Sequence, residues 1–561
     1  VIWLVLNFSG ALVVLLLIAL SPGRNFIVHL LNVVTMQKNV FNTVQIPRVD
    51  SNGFDLTHDF KLSFKMGQLI PAICMDCIPG DRFSIRPQNM LRLMPMVAPV
   101  MHRIRVSTHA FFVPTRILWP EWEKWVSRQS SAEAPYVQLS EGSEVVVGSL
   151  ADYLGIPTGT YPGPLRFSPL QFAAYLKIWN EWYRSEQLQD EYDVTIVPGD
   201  NTAAFVSWLA DSPAKRAWAH DYFTSCLPDP QEGTAVQIPL TIAVDRVVGY
   251  TWRVGTEANN ASFLRKSVVG TILSTDVTMN NWAGPSPISK SMHTDGAAVQ
   301  YDPNGSLTVD VQADAVTINT LRRAFRLQEW LELLNRVGTR FTEFLMGNYG
   351  VKSSDARLQR PEMFGAMTQN MVISEVLSTA QSSNDASDAE VAVGSMAGHG
   401  ISVGGGETFR YSCEEHGFLF VLVSVLPDTA YQQGLHRQWT RFDPLDYALP
   451  MFANIGEQAV KQKEINAQSN TPEADFGYIP RYSEYKFWPS RVAGQMRTTL
   501  SDWHMGRIFE DDPALNEDFI ASDPTTRIFA VTDETQDHIL AHFYYQINSV
   551  RKLPRFGVPQ I

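Results

Sequence analysis

Cys74-Met75-Asp76-Cys77 has the spacing of half a zinc site or of a redox dithiol. A zinc site needs a second ligand pair, yet Cys226 and Cys413 stand alone. A redox dithiol opens a helix, whereas Pro79-Gly80 follows here at once, so the pair reads as ordinary buried cysteines. The run GHGISVGGGE, Gly398 to Glu407, is rich in glycine but lacks the Lys-Ser/Thr of a phosphate loop and the order of a dinucleotide fingerprint. It reads as a mobile turn. Asp443 and Asp446 flank Pro444-Leu445 beside aromatic residues, and carboxylates facing across a cleft could cleave a glycoside. Capping and turn hydrogen bonds are the simpler use of that spacing. Glu414-Glu415-His416 could suggest acid–base work, but it directly precedes an apolar run and reads as a loop. There is no HExxH. The pattern is not that of an enzyme, and it calls for no catalytic residue, metal or cofactor.

The elements that would carry these residues are mostly strands. The chain has 561 residues, of which 33 are Pro, 35 Gly, 30 Phe, 18 Tyr and 14 Trp, a mixture favouring a loop-rich β-body over a helical bundle. Residues 56–66 alternate, with Leu56, His58, Phe60, Leu62, Phe64 and Met66 on one face. Residues 103–113 repeat the pattern until Pro114 stops the ladder. Phe418 to Leu426 is uninterruptedly apolar, which predicts a strand covered on both faces and ended by Pro427-Asp428. His542 to Val550 is a final β-prone run. Between these, Ser168-Pro169 opens a helix running to about Gln187, and residues 319–346 are helical, with Leu327, Leu331 and Leu334 on one side and a solvated edge of Arg322, Arg323 and Arg326. Residues 241–317 are rich in Asn, Ser, Thr, Gly and Asp and read as a surface insertion of turns and short strands; residues 379–400 read as a flexible loop. Long insertions between strands at opposite ends of the chain suit a β-sandwich.

Charge and the first residues set further limits. Lys and Arg number 45 against 58 Asp and Glu, a net charge of -13 that excludes coating nucleic acid by bulk charge. Val1 to Leu20 has no charged residue and as a helix would span roughly 30 Å, a bilayer core. The first Met is Met36, and the text changes there to polar, patterned sequence, so residues 1–35 read as upstream frame translated ahead of the true start.

Several segments resemble, as an ordered set, the major capsid proteins of the small single-stranded DNA phages, the Microviridae, and most closely the gokushovirus-like branch. They are HDYFTSCLPDPQ (220–231), YGVKSSDARLQRPEMFG (349–365), GHGISVGGGETFRYSCEEHGFLFVLVSVLPDTAYQQGL (398–435) and RQWTRFDPLDYALPMFANIGEQ (437–458). FKLSFKMGQLIPAICMDCIPGDRF (60–83), HAFFVPTRILWPEWEKW (109–125) and the closing LPRFGVPQI are similar to the family's two ends. The resemblance implies an eight-stranded antiparallel jelly-roll β-sandwich whose body is made by residues 36–240 and 318–561. It also implies self-assembly, with pentamers as building blocks, into a T=1 icosahedral shell around circular single-stranded DNA. Residues 241–317 would form a threefold protrusion that meets a host surface receptor. The implied partners are a small basic DNA-packaging protein and the scaffolding and pilot proteins of the phage; the implied locations are the virion and, during assembly, the host bacterial cytoplasm, with no membrane for the mature protein.

Assembly requires large self-contacts. Trp119, Trp122 and Trp125, and Trp439, Phe442 and Tyr447, are candidate subunit contacts; filling the chain's own core is the competing use of these rings. Contact with DNA must come from local basic groups. Arg481, Lys486, Arg491, Arg497, Arg551, Lys552 and Arg555 are the candidates by positive density, several with aromatic neighbours suited to stacking. The rival reading, resting on Val1 to Leu20 and scattered Trp/Asp pairs, is a membrane-anchored β-rich carbohydrate-binding protein or hydrolase.

Overall fold

Alternation from residue 58 onward is realised as strands in a computed structural model of the chain. The structure describes residues 51–234, 318–338, 340–377, 396–531 and 535–556, with isolated pieces at 2–8, 11–17, 236, 242–244, 252–254, 292–294, 297–301, 311–313 and 533. The strands β1 (His58–Phe64), β2 (Ile70–Cys77), β3 (Arg82–Leu93) and β4 (Ile104–Pro114) follow one another closely. A long excursion then carries the helices α1 (Leu170–Trp182), α2 (Ile318–Val337) and α3 (Phe341–Tyr349). The chain returns as β5 (Glu362–Asn370), β6 (Val372–Leu377), β7 (Met396–Gly405), β8 (Phe409–Ser412) and β9 (Gly417–Pro427). A second excursion holds the hairpin β10 (Glu457–Lys461) and β11 (Asp475–Pro480) before β12 (Ile539–Arg551) closes the body.

Two antiparallel sheets result. One has the order β5-β4-β9-β2; in the other β6-β7-β3-β12 are neighbours, with β8 also on β3 and β1 on β12. Strands of the two sheets interleave along the sequence, which is the jelly-roll β-sandwich expected from the sequence. β9 explains why the sheets stay together. Leu419, Val421, Val423 and Val425 point into the sandwich with Phe64, Ile85, Val106 and Phe543. Phe418, Phe420 and Leu422 point the other way, against Phe111, Val113 and the α1 residues Phe172, Tyr175 and Trp179. All of β9 is buried, as its uninterrupted apolar run predicts.

Three local expectations are corrected. The first helix starts where expected, with the Ser168 hydroxyl accepting from the Leu170 N–H at 3.3 Å, but it ends at Trp182 rather than near Gln187. There Tyr183 turns back onto the sheet, its hydroxyl 2.6 Å from His109 Nδ1. The helix expected over 319–346 is two, divided at Gly338, whose φ of +103° is left-handed and closed to an ordinary helical residue. The glycine run is no mobile turn, because residues 396–405 form β7 on β3, and that strand also claims the end of the loop expected over 379–400. Glycine is needed for close approach: a Cβ at Gly398 would run into the Ala98 carbonyl oxygen. The rest of that loop, 379–395, lies outside the described residues.

Contact density divides the chain into two units, one of Val1–Phe54 with Val550–Ile561 and one of Asp55–Ser549. In the first, Ile2–Phe8 and Ala11–Leu17 pair as an antiparallel hairpin, so this apolar run is not the membrane-spanning helix its length allows. No described helix is long and apolar enough to cross a membrane. Residues 18–50 lie outside the described residues, as does most of 241–317. Of the latter, short strands are described at 242–244 with 311–313, and at 297–301 with 252–254 and 292–294.

Candidate functional site

The two aromatic segments singled out in the sequence have opposite fates. Trp119 is 1% exposed, and Trp122 and Trp125 are half-buried around it, with ring centroids 6.3 and 5.4 Å away, against the α1 cluster. Trp119 therefore fills its own chain's core and is corrected as a subunit contact, while Trp122 and Trp125 pack against that core and keep part of their surface open. Trp439, Phe442 and Tyr447 are exposed, Phe442 at 88%, and Leu445, Met451 and Ile455 beside them are exposed too.

The second excursion builds the platform under this loop. β10 and β11 pair, and Leu227 adds to β11 through two 2.8 Å backbone bonds with Tyr478. Asp221 ties the segment 220–228 down: one carboxylate oxygen accepts from the Phe223 and Thr224 N–H groups at 2.9 and 2.8 Å, the other from the Tyr431 hydroxyl at 2.6 Å. Phe223, Tyr431, Val460, Ile465, Phe476 and Phe519 pack over it as a third core. Into this platform Glu464 and Glu484 are sunk, 5% and 4% exposed. Glu464 accepts from the Tyr222 hydroxyl at 2.9 Å and the Lys461 N–H at 3.0 Å; Glu484 accepts from Gln458 at 2.7 Å. The exposed loop reaches down to both. Arg437 lies 3.4 Å from Glu464 and 4.0 Å from Glu484, and Arg441 lies 3.7 Å from Glu484 with its guanidinium 4.2 Å from the Tyr485 ring. Burial raises the Glu464 carboxyl above its ordinary range, against the pull of Arg437.

Beside the loop is a cleft of about 710 Å³. Tyr222, Phe223 and Tyr431 line it, as do Trp439, Trp488 and His436, whose ring stacks on Trp488 at 4.2 Å. Burial, then Arg441, lowers the His436 pKa. Of the seven basic candidates, the structure brings Arg491 and Arg497 to this cleft. Arg491 is exposed and forms no ion pair among the described residues; Arg497 donates to the Val492 carbonyl at 2.8 Å. Arg481 leans over the Tyr482 ring at 5.0 Å and Lys486 donates to the Arg481 carbonyl at 3.4 Å, neither lining the cleft. Arg551, Lys552 and Arg555 close the other unit, the last two exposed. The carboxylates Glu464 and Glu484, which anchor the whole arrangement, carried no signal in the sequence: each sits in a short polar stretch like any surface residue.

The motifs that suggested chemistry are used structurally. Cys74 and Cys77 both lie on β2, three residues apart, so their side chains leave opposite faces of the sheet. Cys77 joins the sandwich core and Cys74 the α1 cluster, which keeps the thiols from sharing a ligand. Asp443 accepts from the Leu445 N–H at 2.8 Å, and Asp446 from the Phe442 and Asp443 N–H groups at 2.9 Å, a reciprocal cap. Glu415 grips Arg116 with two 3.0 Å bonds, and His416 meets the edge of Trp122 at 5.5 Å.

A jelly roll with its large excursions after β4 and β9 is matched from residue 40 to residue 561 by the model of a family described as capsid protein (F protein). The chain belongs to this family. It is 32% identical to the capsid protein VP1 of Chlamydia phage 1, over 94% of this chain and 98% of that protein. Against the capsid protein VP1 of Bdellovibrio phage phiMH2K it is 33% identical, over 93% and 98%. Against that of Spiroplasma virus 4 it is 28% identical, over 93% and 96%. The chain is thus a structural, major capsid protein of the Microviridae type, assembling into a shell and residing in the virion. That finding displaces the membrane-anchored alternative, whose helix is a hairpin of strands.

Proposed function

We propose that this capsid chain forms a T=1 icosahedral shell enclosing a circular single-stranded DNA genome, and that the cleft between Trp439, Trp488, Arg491 and Arg497 receives that DNA. The carrying observation is the cleft: aromatic faces on which bases can stack beside an arginine with no carboxylate partner among the described residues. Elsewhere the charge of -13 repels phosphate, so binding must be local and assisted by a small basic packaging protein. Arg481, Lys486, Arg551, Lys552 and Arg555 are secondary DNA contacts on this reading. Pentamers are the building blocks, formed in the host bacterial cytoplasm with scaffolding and pilot proteins, and residues 241–317 meet the host receptor.

The test is to assemble particles from the chain and the other proteins of its phage, then compare Arg491→Ala/Arg497→Ala with wild type. The variant should form shells of normal sedimentation whose protected DNA is released at lower salt. Release at unchanged salt removes the cleft from the DNA path. Failure of the wild-type chain to form any particle would falsify the shell reading itself.

A further inference from the structure

We propose that the segment from Arg437 to Ile455 is a docking surface by which one copy of this chain binds a second copy, an inference that rests on the shell reading above. The segment is built inside out. What attaches it to its own platform is polar: Arg437 and Arg441 over Glu464 and Glu484, the Leu449 N–H on the Tyr482 hydroxyl at 3.2 Å, and the Ala448 N–H on the Tyr485 hydroxyl at 3.3 Å. What it presents outward is apolar, with Phe442 at 88% and Met451 at 79% exposure, and Leu445 and Ile455 also exposed. Water-facing loops ordinarily carry the reverse arrangement, because exposed apolar area is stabilised only when something covers it.

Charge selects the occupant. Two copies of a chain carrying -13 repel each other on average, so a self-contact needs a locally neutral patch. Within the segment Arg437 and Arg441 equal Asp443 and Asp446 in number and there is no other charged residue, although both arginines also face the buried Glu464 and Glu484 beneath. A DNA-binding surface would have an excess of cations; this one sets two aspartates beside its aromatic rings. An apolar centre edged by both signs of charge is the composition of a protein–protein contact, and it can face a neighbouring copy without like-charge repulsion. The loop also arrives preordered. Three short turns, at Arg437–Thr440, Pro444–Asp446 and Pro450–Phe452, and the Asp443/Asp446 cap hold the rings out before any partner binds, which lowers the entropic cost of docking.

The experiment measures peroxide oxidation of Met451, by peptide mass spectrometry, in wild-type free subunits and in wild-type particles assembled with the other phage proteins. Oxidation at least tenfold slower in particles is expected. An unchanged rate overturns the proposal while leaving the shell reading intact, whereas absence of particles defeats the shell reading. The occupant is identified with Phe442→Cys and a short thiol-to-amine cross-linker in particles. Chain-to-chain products support a second copy; products only with another phage protein or with DNA overturn it.

Discussion

Replacing Arg437 by methionine keeps a stem of similar length while removing the cation that faces Glu464 at 3.4 Å and Glu484 at 4.0 Å. It also removes the 2.8 Å bond from Arg437 Nη1 to the Ala459 carbonyl. Deleting one partner of a buried ion pair costs about 3–5 kcal/mol, because the remaining charge stays desolvated. Arg437 is partly exposed and Arg441 still serves Glu484 at 3.7 Å, so the lower end, about 3 kcal/mol at pH 7.5, is the expected loss. The sign of its pH dependence follows from Glu464. Burial raises its folded pKa above the unfolded value, so in that window the native state binds more protons and is stabilised as pH falls. Without Arg437 the folded pKa rises further. The deficit of R437M should therefore shrink between pH 7.5 and pH 5, and the double variant R437M/E464Q should recover much of it at pH 7.5. Hydrogen exchange of the β10 amides in the free subunit reads this locally, without assuming that all 561 residues unfold as one. A deficit under about 1 kcal/mol, or one equal at both pH values, refutes the reasoning that Arg437 neutralises a buried carboxylate.

Leu419→Ala, at a fully buried site between the sheets, should destabilise the free subunit by about 3 kcal/mol in urea unfolding. Gly398→Ala places a methyl group against the Ala98 carbonyl and should cost about 2 kcal/mol, seen as increased protease cleavage around β7. Burial, then Arg216, holds the His109 imidazole down to about 4. Between its unfolded value and that pH the unfolded chain binds the proton and the native chain does not, so stability falls as pH falls. His109→Gln should flatten that part of the pH–stability curve measured from pH 7 to pH 4.

The strands were legible where one side chain in two is apolar, as in residues 56–66, or where every side chain is, as in 418–426. Both patterns report burial directly. The helix ends were less so. Tyr183 leaves the helix for a hydrogen bond to His109, 74 residues earlier, and no local pattern carries such a partner. Gly398 misled because a glycine needed for a tight crossing looks the same in sequence as one needed for a turn. For the site, aromatic density identified both Trp119–Trp125 and Trp439–Tyr447. Only the platform beneath decides which set is covered, since that depends on Glu464 and Glu484 capturing the arginines of the second.

The last strand, β12, lies between β1 and β3 in the middle of its sheet. The residues that join the two halves of this sheet therefore come after both of the strands they bridge. A chain cut short before Ile539 leaves β1 and β3 without the strand that bridges them, however well its earlier parts have condensed. The body thus closes only around a chain that has reached β12, and a fragment ending before it is left with the facing edges of β1 and β3 unpaired.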